Sequence, residues 1–402
     1  MPTRLSVRRA RSLGAPAIAL SLSLLTFVLA PAKAVAAGVV TTVVDACSGS
    51  SNPTFYPNNR RMVVTPAGRR LALYDPHGSG FQLAWRDGEG AWTTKSLFET
   101  VTDEVSSDRP ASIALDGTGN AWVVWSGYNF SAPLPLRLRR LTNLDAPGGP
   151  SIGPVVTVQP TGRGNAFADL AFHGGRGFIV WLQRTGDSSY SLTTTQFSEL
   201  ATDTPSFENR AVLYTGSSSS TSGTLVSTPA GMRVVARAGK VKVFSHSSGA
   251  QWSAGSAVVS APSKSKPSAI AYGSDILAAF QAAPFNDNIV KVVRFSTTGN
   301  SVSTSLVTPT GYVQPSLAGD ASRAWLVMVA KGTERTVVSR QFDGSTWGSN
   351  VVEIPASVAN GGDYAYPNTV REVDGTLRFL VDGKRCPSSS ARNAVLAFER
   401  TL

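Results

Sequence analysis

The sequence predicts an all-β chain folded as a seven-bladed β-propeller of four-stranded blades. Three observations carry this. The chain lacks any sustained 3.6-residue apolar pattern after its first 36 residues. Short runs rich in Val, Ile, Leu, Thr, Phe and Trp recur instead between Gly, Asn, Asp, Ser and Pro turns, which is the signature of strands and hairpins. Those runs also repeat as a unit. Residues 110–126 (PASIALDGTGNAWVVWS), 167–182, 267–280 and 315–328 share one form, and 60–74, 223–237 and 368–381 are weaker copies.

The first half of each unit reads as a strand, a Gly-containing turn and a second strand carrying an aromatic. The second half reads as a hairpin with a turn before Trp: WRDGEGAW (85–92), FSHSSGAQW (244–252) and FDGSTW (342–347). Asp-Gly and Ser-Gly suit these turns because they tolerate positive φ. Units begin near 57, 110, 167, 223, 267, 315 and 367. Four strands in roughly 40–50 residues make one propeller blade. Seven equivalent units argue against a β-sandwich.

The last unit holds three strands, 368–374, 376–383 and 393–401. The mature N-terminus offers a spare one, 39–44 (VVTTVV). Pairing of 39–44 with 393–401 would complete the last blade and remove an open sheet edge. In an antiparallel pair the chain's two cysteines, Cys47 and Cys386, would meet, and a disulfide between them would lock the ring. Loop-closure entropy sets an upper figure on the order of 5 kcal/mol for so long a loop.

Residues 1–36 read as an export signal. Arg4, Arg8, Arg9 and Arg11 precede an apolar stretch at 17–30, and Ala32-Lys33-Ala34 and Ala34-Val35-Ala36 offer cleavage sites. The expected organisation is a signal at 1–36 and a single propeller domain at 37–402, exported to the extracellular space or cell envelope, with no membrane span once the signal is gone. The signal holds five of the 37 basic residues and no acid. With 26 acids the mature chain carries a net charge of +6. That excludes the concentrated basic stripe of a nucleic-acid binder but allows weak attraction to anionic polymers.

Strand direction places the blade-to-blade loops and the loops between strands two and three on one face, where propellers bind ligands by fold analogy. Aromatics beside Asn, Asp, Arg and Gln suit sugars: rings stack on C–H faces and polar groups bond hydroxyls. The ligand-binding candidates are Tyr56, Arg60, Asp75, Arg109, Tyr128, Arg184, Tyr312, Tyr366 and Arg385. His77 beside Asp75 is a candidate general base, with Arg109, Tyr128 and Tyr364 as further catalytic candidates. Only three His occur, and His173 and His246 fall in turns on the opposite face, so a three-His metal centre is not expected. No cofactor fingerprint is present. The eight Trp read as packing between blades.

The repeats resemble those of the sialidase-type, or BNR-repeat, propellers. DGEGAW (87–92) and DGSTW (343–347) approach the Asp box of those families without matching it. The resemblance implies a propeller acting on or binding extracellular glycans. A sialidase needs three Arg, which Arg60, Arg109, Arg184 and Arg385 could supply, and a Tyr, which Tyr364 or Tyr366 could supply. No local motif assigns these roles. Three readings stay open: a propeller, expected monomeric, that binds glycan or another surface ligand without chemistry; a sialidase-like hydrolase or polysaccharide lyase; and a protein-interaction scaffold of the envelope.

Overall fold

The computed structural model describes residues 39–47, 54, 60–76, 81–97, 111–126, 135–159, 164–246, 251–259, 263, 265–282, 287–300, 303–332, 335–355, 365–371, 375–385 and 393–401. All lie in one compact unit, Ala34–Leu402. The expected signal, 1–36, lies outside them. Seven four-stranded antiparallel sheets form the seven blades.

Strand β1 (Val39–Asp45) comes first in the chain. Blade 1 holds β2 (Met62–Val64), β3 (Arg70–Tyr74), β4 (Gln82–Arg86) and β5 (Thr93–Ser96). Blade 2 holds β6 (Ala111–Leu115), β7 (Ala121–Ser126), β8 (Leu136–Thr142) and β9 (Ser151–Gln159). Blade 3 holds β10 (Asn165–His173), β11 (Arg176–Arg184), β12 (Tyr190–Ser198) and β13 (Ser206–Gly216). Blade 4 holds β14 (Ser222–Thr228), β15 (Gly231–Ala238), β16 (Lys240–Ser245) and β17 (Ser256–Val259). Blade 5 holds β18 (Ser268–Tyr272), β19 (Asp275–Gln281), β20 (Val290–Ser296) and β21 (Ser303–Val307). Blade 6 holds β22 (Tyr312–Gly319), β23 (Ala324–Lys331), β24 (Arg335–Phe342) and β25 (Val351–Ile354). Blade 7 holds β26 (Ala365–Thr369), β27 (Thr376–Arg385) and β28 (Asn393–Thr401).

Strand β1 completes blade 7 in the order β1-β28-β27-β26, pairing from Val39↔Arg400 to Asp45↔Val395. The expected closure is therefore present. Side chains reinforce it. Arg70 of blade 1 makes a bidentate pair with Glu399 of β28, both bonds 2.7 Å. Trp92 Nε1 donates to Thr42 Oγ1 of β1 at 3.0 Å. The equivalent Trp347 of blade 6 donates to Ser305 Oγ of β21 at 2.8 Å. Strand β1 thus occupies in blade 7 the outer place that β21 occupies in blade 5.

Each blade buries both faces against its neighbours, which is why successive residues of a strand are apolar rather than alternating. In β7, Trp122 and Val124 pack toward blade 3, while Val123 and Trp125 pack toward blade 1. One apolar cluster fills each of the seven seams, the last joining Met62, Ala72 and Ala84 to Leu380, Val395 and Ala397. Five of the Trp lie in strands and three in the outer hairpins, all at seams. Gly149 (φ +85°) shows how tight a seam is: a Cβ there would lie 2.3 Å from the Trp85 ring. The two Asp-box-like turns diverge. Asp343 accepts the Ser345 and Thr346 amides, whose bonds hold its carboxyl far below the ordinary range. Asp87 instead takes a bidentate pair from Arg69.

Cys47 is disulfide-bonded. Cys386, the chain's other cysteine, lies outside the described residues. Non-reducing peptide mapping of the chain is expected to return the Cys47 and Cys386 peptides as one linked species. Recovery of either as a free thiol would contradict the expected clasp.

Candidate functional site

The innermost strands build the site. At one register level each contributes a single buried polar residue: Arg61, Ser112, Asp169, Thr224, Ser268, Ser316 and Asn368, all 1% exposed or less. Their strand-two partners are equivalent too: Val124 for Ser112, Val180 for Asp169, Val235 for Thr224, Ala279 for Ser268, Val327 for Ser316 and Leu380 for Asn368. This belt satisfies backbone groups of the next blade. Leu225 N donates to Asp169 Oδ2 at 2.8 Å, Leu317 N to Ser268 Oγ at 2.9 Å and Thr369 N to Ser316 Oγ at 3.2 Å. A buried amide left without an acceptor costs about 1–3 kcal/mol, so these positions require an oxygen.

Three inner strands reach the belt through a bulge. Phe167, Gln314 and Tyr366 each take φ near +54° two residues before Asp169, Ser316 and Asn368. The register shifts at all three places. Positive φ is unfavourable for bulky residues; here it turns the chain so that the following polar residue enters the belt.

Four cations gather around this level. Arg61, wholly buried, lies with Asp75 and Asp382 as opposing charges. Arg60, Lys266 and Arg371 surround Asp169. Burial pushes the Asp169 pKa up, but Lys266, Arg60, Arg371 and the Leu225 amide outweigh it and hold the carboxyl below its ordinary value. Burial drives Arg371 down to about 10 and Lys266 down to about 8, with Asp169 opposing both shifts. Both remain charged at neutral pH. Arg371 Nη1 is anchored on Ser268 Oγ (3.0 Å) and Ala269 O (2.9 Å). Arg60 Nη1 donates to Leu170 O at 2.9 Å, while its buried Nε has no acceptor among the described residues.

Arg60 and Arg371 line a cavity of about 930 Å³ and a second of about 380 Å³, which share Phe172, Ser227 and Asp320. Their walls reach the turns between strands one and two, at Thr65, Asp116, Gly174 and Asp320. That is the opposite end of the channel from the loops singled out in the sequence. Asp116 and Asp320 are committed to their own turns. Asp116 accepts from Thr118 N, Asn120 N and Trp122 Nε1. Asp320 accepts from Ser322 N and Arg323 N; burial raises its pKa, but those bonds prevail and hold it low. Neither is a free acid or base.

Of the residues picked from sequence, Arg60 enters this cavity. Asp75 is 2% exposed and counters Arg61. Arg184 donates to Gly186 O and Asp187 O and so braces its own hairpin. Tyr312 OH accepts from Asn350 Nδ2 at 2.6 Å. Tyr366 serves the bulge, its amide donating to Gln314 Oε1. Tyr56, His77, Arg109, Tyr128 and Tyr364 lie outside the described residues, as does the side chain of Arg385. Sequence reasoning missed Arg61, Asp169, Lys266 and Arg371. The Pro-Ser or Pro-Asn pairs at 267–268, 315–316 and 367–368 mark the belt in hindsight. Among the described residues no group of three or more His, Cys, Asp or Glu could hold a metal ion.

No protein-family profile matches the chain, and no curated protein matches it. Solved structures do. A protein of unknown function from Dyadobacter fermentans aligns with TM-score 0.52 and 10% identity over 91% of this chain and 100% of that one. A Trypanosoma rangeli sialidase mutant with trans-sialidase activity aligns with TM-score 0.48 and 11% identity over 92% of this chain and 60% of that one. An ulvan lyase bound to its glycan aligns with TM-score 0.44 and 9% identity over 90% and 84%. The likeness is one of fold.

Two substitutions test the charge arrangement. Asp169→Asn leaves Arg60, Lys266 and Arg371 without their shared counter-ion and is expected to cost roughly 3–5 kcal/mol, read by urea unfolding; a loss under about 1 kcal/mol would contradict the assignment. Lys266→Met has a signed pH dependence. Between about pH 8 and the unfolded value of about 10.4, the unfolded chain holds a proton that the folded chain has lost. Wild-type stability therefore gains across that window. The advantage of Lys266→Met is expected to be largest near pH 7 and to shrink toward pH 10; a pH-independent difference would contradict it.

Proposed function

We propose that the protein is an exported propeller that binds an acidic extracellular glycan, seating a carboxylate or sulfate of the chain between Arg60 and Arg371 in the central cavity. The observation that carries this reading is a cavity of about 930 Å³ whose lining brings together two guanidinium side chains, Arg60 and Arg371. Pockets of this size suit small ligands or a few sugar units. Arg recognises carboxylate and sulfate-like groups through paired charge-assisted bonds. Phe172, Val63 and Val64 give the wall apolar surface for sugar C–H faces. The net charge of the mature chain favours the approach of a polyanion.

Binding without chemistry fits the described residues better than hydrolysis. Glycoside hydrolysis needs two available carboxyl groups facing one another. In this cavity Asp116 and Asp320 are both tied into turns. The enzyme reading, hydrolase or lyase, rests on His77, Arg109, Tyr128 and Tyr364, which lie outside the described residues.

The mature chain is expected to be retained on immobilised polyuronate or sulfated glycan and to elute with salt. It should ignore the same polymer after carboxyl reduction or desulfation. Arg60→Gln, checked for an unchanged melting transition, should weaken binding about 10- to 100-fold, the loss of one charge-assisted interaction. Equal retention of the neutralised polymers would overturn the reading. Release of reducing ends or unsaturated products from a bound polymer would replace it with the enzyme reading.

A further inference from the structure

A second cavity, about 580 Å³, opens at the seam of blades 3 and 4. Its walls come from β11 to β13 and from the turn Pro229-Ala230-Gly231 with His246 of blade 4. Gln196 and Glu208 are paired across β12 and β13, so their side chains share this face.

The deep wall is polar yet buried. Gln196 is 2% exposed and His246 8%. Gln196 Nε2 lies 3.3 Å from His246 Nε2. An amide nitrogen only donates, so the ring nitrogen accepts and the imidazole carries its proton on Nδ1. Burial first, then His173, Arg233 and Arg176, lower the His246 pKa and favour this neutral form. Among the described residues, His246 Nδ1 and Gln196 Oε1 have no hydrogen-bond partner. Neither is among the atoms sealed from solvent without a partner. The wall therefore presents one donor and one acceptor side by side. Closer to solvent, Arg176 and Glu208 form an ion pair that adds further donors and an acceptor. Phe178, 2% exposed, backs this wall, its ring in T-shaped contact with His246 at 5.2 Å.

The charge balance distinguishes this cavity from the central one. Glu208 pairs with Arg176, Gln196 and the neutral His246 carry no charge, and Arg233 behind them is committed to the carbonyls of Thr297, Met232, His246 and Ala230, so the lining itself holds no unpaired guanidinium. Neighbouring donors and acceptors match the adjacent hydroxyls of an uncharged sugar. We propose that the blade 3–blade 4 cavity is a second binding site, specific for a neutral monosaccharide unit, with Gln196 and His246 reading one pair of hydroxyls and Arg176 and Glu208 a second. A glycan with both acidic and neutral residues could engage both sites, but this assignment does not depend on the central one.

The test is saturation-transfer NMR and isothermal titration of the mature chain with free glucose, galactose, mannose, fucose and N-acetylglucosamine, and with glucuronate as the charged comparison. At least one neutral sugar is expected to bind. Ala230→Trp fills the cavity from an exposed turn, and Arg176→Ala with Glu208→Gln removes an exposed pair; neither change should disturb the fold. Each is expected to weaken the neutral sugar at least tenfold, and Arg60→Gln should leave it unchanged. Absence of binding by every neutral sugar would overturn the proposal. So would wild-type affinity in both cavity variants. Loss of polyuronate binding in Arg60→Gln with neutral binding intact, or the reverse, shows which of the two sites has failed.

Discussion

Ring closure is the constraint on which the rest of this structure depends. A blade has no face of its own to hide; each sheet is buried only because another stands on either side. The last seam, between blades 7 and 1, joins the two ends of the chain and must hold against the entropy of everything between them. Strand β1 completes blade 7 by pairing along β28, so the first described strand of the chain stands in its last sheet. Arg70 and Glu399 add a bidentate pair that is about 90% buried on both sides. Thr54 bonds Asp382 through its amide and hydroxyl, and Asn368 returns a bond to Thr54 O. The start of blade 1 is thereby pinned to blade 7 from the channel as well as from the rim.

Closure also creates the channel, and with it an electrostatic problem. Seven inner strands converge, and amides of the innermost strands point across the seams where little water enters. The belt answers with one polar side chain per blade. Six blades use a neutral group or Asp169; blade 1 uses Arg61, which rests on Phe81 at 5.3 Å and is countered by Asp75 and Asp382. Asp169 is the pivot, since it accepts from Ser112 and Leu225 and faces three cations at once. Three positive charges around one carboxylate leave the channel with an excess of positive charge. An excess held next to a cavity is costly for a structure alone and favourable for one that receives an anion.

The architecture was legible in the sequence because its signals are local. Asp-Gly and Ser-Gly turns, aromatic second strands and the pre-Trp hairpins lie within a few residues of one another. Even the closure could be read, since 39–44 was a strand without a partner in a chain whose last unit lacked one. The site was less legible. Arg60 stood out as a cation in a loop beside a strand start, but Asp169 sits inside AFADLAF and looks like an isolated polar residue in an apolar strand. Lys266 and Arg371 are more than 100 residues apart and meet only because blades 5 and 7 face the same channel. Gln196 and His246 come together across a seam, on different blades, with no shared motif. Surface loops drew attention by composition, while the charged centre lay in strand ends whose convergence no local pattern encodes.

The most direct measurement is a crystal structure of residues 37–402, grown with an acidic disaccharide that carries one carboxylate. The account predicts that the carboxylate oxygens sit in the central cavity at about 3 Å from the Arg60 guanidinium, with the Arg371 guanidinium on the other side and the belt unmoved. An ordered disaccharide held only at the opposite face, with both guanidinium groups left to water, would contradict it.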